Sequence, residues 1–406
     1  MEEWKEYKLG DLVTVKGGKR LPKGINLIST KNSHPYIRIR DLGKSKYLQL
    51  NSDYEYVDDE TQKSISRYIT NKGDILLSIV GTIGLTGIVG ESLDNANLTE
   101  NCVKLIDLKN VDRNYLYYFL NSEIGQNEIK KGTVGAVQPK LPIKNIQAIS
   151  ISLPSLPTQQ KIAAILSSFD EKIELNNKIN ENLEQQAHTL FKKWFIDKND
   201  SFPKMTLGKV VSKADGGGDA IKKTPIVEDD TGIKCIRIGD LTNKRSYNDW
   251  GFTKVTDKNF KRYKLYKYDI VLARTAVLGL NRLILEDLDA VFNNGMIRLK
   301  SNQKIILPLY LYCHMNTKGY RDYMNRIVAE TSVRPNMKAN YLLSYELIVP
   351  NIETQSKFET IAKGIFEQIN NLEKENDKLI SLRNTLLPKL MNGEIETNSI
   401  IIDKEV

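Results

Sequence analysis

The sequence predicts an α+β protein in which two homologous mixed α/β domains are joined by two long helices forming an antiparallel coiled coil. Three observations predict this. The chain of 406 residues is written twice, with an offset of about 195 to 199 residues kept in order from end to end. Each copy opens with short β-type runs separated by Gly, Asn and Asp turns. Each copy closes on a stretch whose apolar residues fall alternately four and three apart, the spacing of a coiled-coil seam.

Matched segments carry the repeat. YKLGDL (7–12) returns as MTLGKV (205–210), and PYIRIRDL (35–42) returns as KCIRIGDL (234–241). KGDILLSIVGTIG (72–84) returns as KYDIVLARTAVLG (267–279), and GAVQPKL (135–141) as TSVRPNM (331–337). ISLPSLPTQQKI (151–162) returns as LIVPNIETQSKF (347–358). A period near 200 residues is too long for a solenoid, and the length exceeds what one core holds. IRIRDL, DILLSIV and AISISLP read as strands, and 115–121 as a short helix between them. The expected organisation is a first domain at 1–157, a helix at 158–197, a second domain at 198–353, a helix at 354–393 and a tail at 394–406.

The first seam runs through Ile162, Leu166, Phe169, Ile173, Asn176, Asn180, Leu183, Ala187, Leu190 and Trp194. The second runs through Phe358, Ala362, Ile365, Ile369, Leu372, Asn376, Leu379, Arg383, Leu386 and Leu390, each 196 residues after its counterpart. Asn180 and Asn376 share one seam position, where a polar residue sets register at some cost in stability. The other reading is that each helix packs only on its own domain. Only the polar link 197–204 separates the first helix from the second domain, so the second helix must turn back and pair antiparallel. Phe191, Trp194 and Phe195 are apolar helix residues expected to dock a partner or to pack internally.

The net charge is +9. Lys161 to Phe195 holds five lysines against five acidic residues, and Phe358 to Met391 balances five against five, so the excess lies outside the helices. A basic excess on the domains suits a nucleic acid, although basic residues also serve simply as a solvated surface. Helices of about 50 Å exceed the ~34 Å of one duplex turn, so two readers on such a rod would touch sites separated by unread bases. The cysteines Cys102, Cys235 and Cys313 are scattered, with no CxxC pair, which speaks against zinc or a disulfide framework and fits a reducing compartment. With no leader-like start and no membrane-length apolar run, a cytoplasmic chain is expected.

Catalytic motifs are absent. There is no Pro-Pro pair for a methyltransferase, and Gly216-Gly217-Gly218 lacks the GxGxxG spacing. Gly43-Lys44-Ser45 resembles the end of a phosphate loop, but the required earlier glycine is Arg38. GxSxG and HExxH do not occur. His34, His188 and His314 are isolated, so no metal site is expected and no catalytic residue is assigned.

The duplicated halves, with PYIRIRDL, GDILLSIVGTIG, GAVQPKL and LPSLPTQQKI before a coiled coil, resemble the specificity subunit of a Type I restriction–modification system. The resemblance covers essentially the whole chain. It implies two target-recognition domains, each reading one half of a split site in double-stranded DNA. It also implies helices that set the spacer and dock two methylation subunits, with restriction subunits joining them. S-adenosylmethionine, ATP and magnesium would be held by those partners, and the chain itself would carry no cofactor. The copies depart from one another at Ala276-Val277-Leu278-Gly279, which replaces Gly81-Thr82-Ile83-Gly84, and at Arg334, which replaces Gln138. Different half-sites are therefore expected.

Base edges are read by arginine, asparagine and glutamine, while phosphate contacts position the protein. The candidates in the first copy are Lys19, Arg20, Arg38, Arg40, Thr82, Gln138 and Lys140. Those in the second are Arg237, Arg274, Asn293, Arg334, Asn336 and Lys338. Gln138 and Arg334, aligned and different, are expected base readers, whereas Arg38 and Arg237, aligned and identical, suit phosphate. Gly81 and Gly84 read either as a turn that lets backbone approach DNA or as a purely structural turn. Competing expectations are a stand-alone split-site DNA-binding protein, an orphan methyltransferase and a coiled-coil adaptor without DNA.

Overall fold

The computed structural model describes residues 3–197, 202–217, 226–330 and 336–395. The chain divides into two compact units, Met1–Ile173 with Leu379–Val406, and Glu174–Lys378. Each unit therefore combines one copy of the β-rich repeat with a stretch of both long helices.

In the first unit a five-stranded sheet runs in the order Thr14–Gly17, Cys102–Ile106, Ile75–Ser78, Thr86–Val89 and Tyr47–Leu48. A three-stranded sheet holds Glu55–Tyr56, Pro35–Ile37 and Asn97–Leu98, and Lys5–Lys8 pairs with Ser150–Leu153. The second unit repeats this plan. Val211–Gly216, Met296–Ser301, Ile270–Ala273 and Asn281–Leu283 form one sheet, and Lys204–Thr206 pairs with Glu346–Ile348. Ile226–Val227, Gly251–Thr253, Lys234–Ile236 and Ala290–Phe292 form the other. The parallel pairing of Pro35–Ile37 with Asn97–Leu98 recurs between Lys234–Ile236 and Ala290–Phe292.

The run ILLS at 75–78 is buried throughout because it serves two cores. Ile75 and Leu77 face Tyr115 and Leu116, while Leu76 on the opposite face joins Ile37 and Leu98, as the two-residue period of a strand requires. IRIRDL is not a continuous strand. Extended structure stops at Ile37, and Ile39–Asp41 turns into a single 3-10 turn. The cause is local: the Asp41 carboxylate accepts the Arg38 N–H at 2.8 Å, and Asp240 accepts the Arg237 N–H at 2.8 Å in the second unit. The short helix expected at 115–121 spans Arg113–Asn121, capped by Asp112, which accepts the Tyr115 N–H at 2.9 Å.

A buried glutamine explains the junction before each long helix. Gln159 accepts the Asp112 N–H at 2.9 Å and donates to the Asn110 and Pro154 carbonyls at 3.3 and 3.0 Å. Gln355 accepts the Leu307 N–H at 2.8 Å and donates to the Ile305 and Pro350 carbonyls at 3.0 and 2.7 Å. Each side chain ties the start of a long helix to the loop that leads into an earlier short helix, Arg113–Asn121 or Pro308–His314, with its amide donors and acceptor satisfied.

The long helices are Leu156–Phe191, prolonged by a π-turn at Lys192–Ile196, and Ile352–Met391. In the first unit Ile162 and Leu166 share a core with Leu390 and Met391, and Asp170 pairs with Arg383. In the second, Leu183, Ala187 and Phe191 share a core with Phe358, Ala362 and Ile369. Rising numbers on one helix meet falling numbers on the other within each unit, so the helices pack antiparallel in both. Phe169, Ile173, Leu190, Ile365, Leu379 and Leu386 are half-buried along these contacts. Asn376 meets Asn176 and Asn177, not Asn180: it accepts from Asn176 Nδ2 at 2.9 Å and donates to Asn177 Oδ1 at 2.9 Å. Homology aligns Asn180 with Asn376, but opposed helices meet by counting in opposite directions. Phe191 and Phe195 are 1 % and 0 % exposed and stack with Tyr310 and Phe358, so they pack internally and do not form a docking face. No helix among the described residues is long and apolar enough to cross a membrane.

Candidate nucleic-acid interface

Strand Ile75–Ser78 ends in a turn shaped by two left-handed residues, Gly81 at φ +74° and Gly84 at φ +92°. Ser78 pins the turn, donating its hydroxyl proton to the Thr82 carbonyl at 2.6 Å and accepting the Leu85 N–H at 2.9 Å. A Cβ on Gly84 would lie 2.7 Å from Gln126 Oε1, so glycine there answers close packing as well as φ. The segment 134–141 lies against this turn. Val80 and Lys140 pair antiparallel, and Leu141 N–H donates to the Ile79 carbonyl at 2.9 Å. Thr82, Gln138 and Lys140, all exposed, therefore stand on neighbouring loops.

Two further loops join them. Gly18 N–H donates to the Cys102 carbonyl at 2.9 Å, Lys19 N–H to Leu98 at 2.8 Å, and Ile79 N–H to Asn101 at 2.8 Å. Residues 18–20, 98–102 and 79–84 thus form one cluster. It depends on Gly18, where a Cβ would stand 2.0 Å from the Thr99 carbonyl oxygen. The second unit has the same requirement, since a Cβ on Gly217 would stand 1.9 Å from the Asn293 carbonyl oxygen. The triple glycine at 216–218 is in this part a close backbone approach; Gly218 lies outside the described residues.

The arginines of the first unit already hold carboxylates. Arg20 Nε donates to Glu100 at 2.7 Å, and Arg38 pairs with Glu55. Arg40 donates to the Asp53 carbonyl at 2.8 Å and to Glu55 at 3.4 Å. Arg38 Nε and Nη2 are buried without a hydrogen-bond partner among the described residues. Burial pushes the neighbouring Asp41 carboxyl up to about 6, against the opposing charge of Arg40. Lys19 is exposed, with its ammonium 5.4 Å from the Tyr68 ring centroid.

In the second unit the matching turn follows Ile270–Ala273. Ala276 holds φ +63° and Gly279 φ +78°, while Tyr268, in the place of Gly73 at φ +88°, holds φ +70°. The repeat keeps the left-handed conformation at three positions, although two of them are no longer glycine. The segment beyond residue 335 docks as its counterpart does: Thr275 and Asn336 pair antiparallel, and Met337 N–H donates to the Arg274 carbonyl at 2.8 Å. Arg274 Nη2 donates to Asn336 Oδ1 at 3.2 Å, and Arg274 N–H donates to the Gly295 carbonyl at 2.9 Å. Asn293 accepts the Gly295 N–H at 3.2 Å through Oδ1 and donates its own N–H to the Ile236 carbonyl at 3.3 Å, one residue before Arg237. Arg237, Arg274, Asn293 and Asn336 are thereby brought to one loop cluster, with Lys338 exposed beside it. Arg334 lies outside the described residues.

The sequence reading missed the partners that hold this cluster. Gly18, Thr99, Glu100, Thr275 and Gly295 belong to it structurally. The one usable signal was the double glycine, Gly17-Gly18 against Gly216-Gly217, at matching places in the two copies.

The Type I restriction modification DNA specificity domain matches residues 1–185 and again 199–382. A Type I restriction enzyme specificity subunit, MjaIX of Methanocaldococcus jannaschii, is 27 % identical over 435 residues, covering 98 % of this chain and 95 % of that one. The HindI specificity subunit of Haemophilus influenzae is 25 % identical over 481 residues, covering 97 % and 100 %. Among solved structures, the Type I restriction–modification S subunit of M. genitalium aligns with a TM-score of 0.52 and 19 % identity over 96 % of each chain, which is a likeness of fold.

Proposed function

Because the chain belongs to the Type I restriction modification DNA specificity family, we propose that it supplies sequence recognition to such a system by reading a split, asymmetric DNA site. One loop cluster in each unit addresses one half-site. The long helices set the distance between half-sites and dock two methylation subunits, with restriction subunits completing the assembly. The chain itself is non-catalytic: adenine methylation with S-adenosylmethionine, and ATP- and magnesium-dependent steps, belong to those partners.

One observation carries this reading. Both units build the same cluster on the same scaffold, yet arm it differently. Where the first unit offers Thr82, Gln138 and Lys140, the second offers Arg274, Asn293 and Asn336. A shared frame with divergent side chains at its edge is what reading two different sequences requires.

The test is genome-wide adenine methylation in cells that carry this chain with its methylation subunit and in cells that lack it. The expected result is a split, asymmetric motif that disappears with the chain. Unchanged methylation, with the methylation subunit shown active, would overturn the role and leave a stand-alone DNA-binding protein.

A further inference from the structure

The second unit differs from the first most sharply at one pair of positions. Arg274 stands where the first unit has Ile79, and Asn336 where it has Lys140. Backbone bonds fix both: Arg274 lies between Gly295 and Met337, and Asn336 pairs with Thr275. Their side chains are joined by the bond from Arg274 Nη2 to Asn336 Oδ1 at 3.2 Å.

That bond decides what the pair can recognise. Asparagine reads adenine by accepting from N6 through Oδ1 while donating to N7 through Nδ2. Here one of the two lone pairs of Oδ1 is taken by the guanidinium, which leaves the two Nδ2 protons as the larger share of what Asn336 offers. Arginine has no acceptor at all; Arg274 Nε is buried without a hydrogen-bond partner among the described residues, so the Nη groups are the donors it can present. The combined edge is therefore rich in donors. Guanine presents two adjacent acceptors in the major groove, O6 and N7, whereas the amino groups of adenine and cytosine would meet donor with donor. From this, and resting on the proposed role in DNA reading, we infer that Arg274 and Asn336 form one specificity element that selects a guanine in the half-site addressed by the second unit.

The full chain, together with its methylation subunit, is used to select from a randomised duplex pool, and the motif is read by sequencing. Wild type should return a motif with a fixed guanine in one half-site. Replacing that guanine by 7-deazaguanine, which removes the N7 acceptor and leaves the protein untouched, should weaken binding by about tenfold, the scale of part of a bidentate contact. Arg274→Ala should make that single position degenerate, keep the other half-site unchanged, and lose its sensitivity to 7-deazaguanine. The unchanged half-site also shows that the variant is folded. A variant that weakens all sequences equally, or still selects the guanine, would overturn the inference while leaving the DNA-reading role intact. A wild-type selection with no motif would overturn both.

Discussion

Ala276 and Tyr268 show what the second copy retains from a glycine-built turn. Left-handed backbone costs a non-glycine residue on the order of 1–2 kcal/mol, and such strain persists where surrounding structure holds it in place. Ala276→Gly should therefore raise stability by roughly 0.5–1 kcal/mol, net of the extra freedom glycine brings to the unfolded chain. Urea unfolding of the full chain measures this, and a loss of stability would show that the turn is unstrained. Glu359 offers a second test. It accepts the Leu309 and Tyr310 N–H groups at 3.2 Å each, and burial raises its carboxyl from the ordinary 4.5 to about 7. A raised folded value means that the folded state holds the proton more tightly. Its stabilisation is complete below pH 4.5 and is lost as pH rises through about 7. Glu359→Gln should flatten the fall in stability between pH 5 and 8, as thermal unfolding across that range would reveal; an undiminished slope would assign the effect elsewhere. At this scale the sequence was least informative. Arg38 reads as a cation for phosphate until the fold brings Glu55 to it, and nothing in the sequence marks Gln159, whose three backbone partners converge only in the fold.

The strands and helices themselves were far more legible, because periodicity reports burial directly. DILLSIV is a strand because alternate residues serve two cores, and the seam residues pack because a 3.5-residue repeat has no other stable use over such length. IRIRDL failed as a strand for a reason periodicity does not contain, the Asp41 carboxylate closing a turn on the Arg38 backbone. The seam asparagines failed differently. Their level on the helix was visible, but their partner depends on the direction in which the two helices run. The Asn176–Asn376 contact, with Glu375 also accepting from Asn176 Nδ2 at 2.8 Å, is a buried polar pair in which Asn176 Oδ1 has no hydrogen-bond partner among the described residues. Replacing Asn376 alone by leucine should cost about 1–2 kcal/mol, because it strands buried polar atoms. Replacing Asn176 and Asn376 together should recover that loss, because the apolar pair needs no partner. Chemical denaturation of both single variants and the double separates the cases, and simple additivity of the single losses would mean that the pair does not act as a unit.

For the molecule as a whole, duplication was legible from end to end, since matched segments keep their order and spacing. Its arming was not, because the residues that differ at the cluster edges are meaningful only when a shared frame superposes them. The frame is held by Gly18 and Gly217, by Gln159 and Gln355, and by Asp41 and Asp240, none of which stands at the variable tips. Tip residues are therefore free to change while the scaffold is conserved between copies. The first unit has one further property. Its core includes Leu390 and Met391, with Leu386 and Leu387 packed against it, so segments from opposite ends of the described sequence complete one core. Closing a core across so long a stretch of chain costs loop entropy before its contacts form, so this unit should fold more slowly than one built from local contacts.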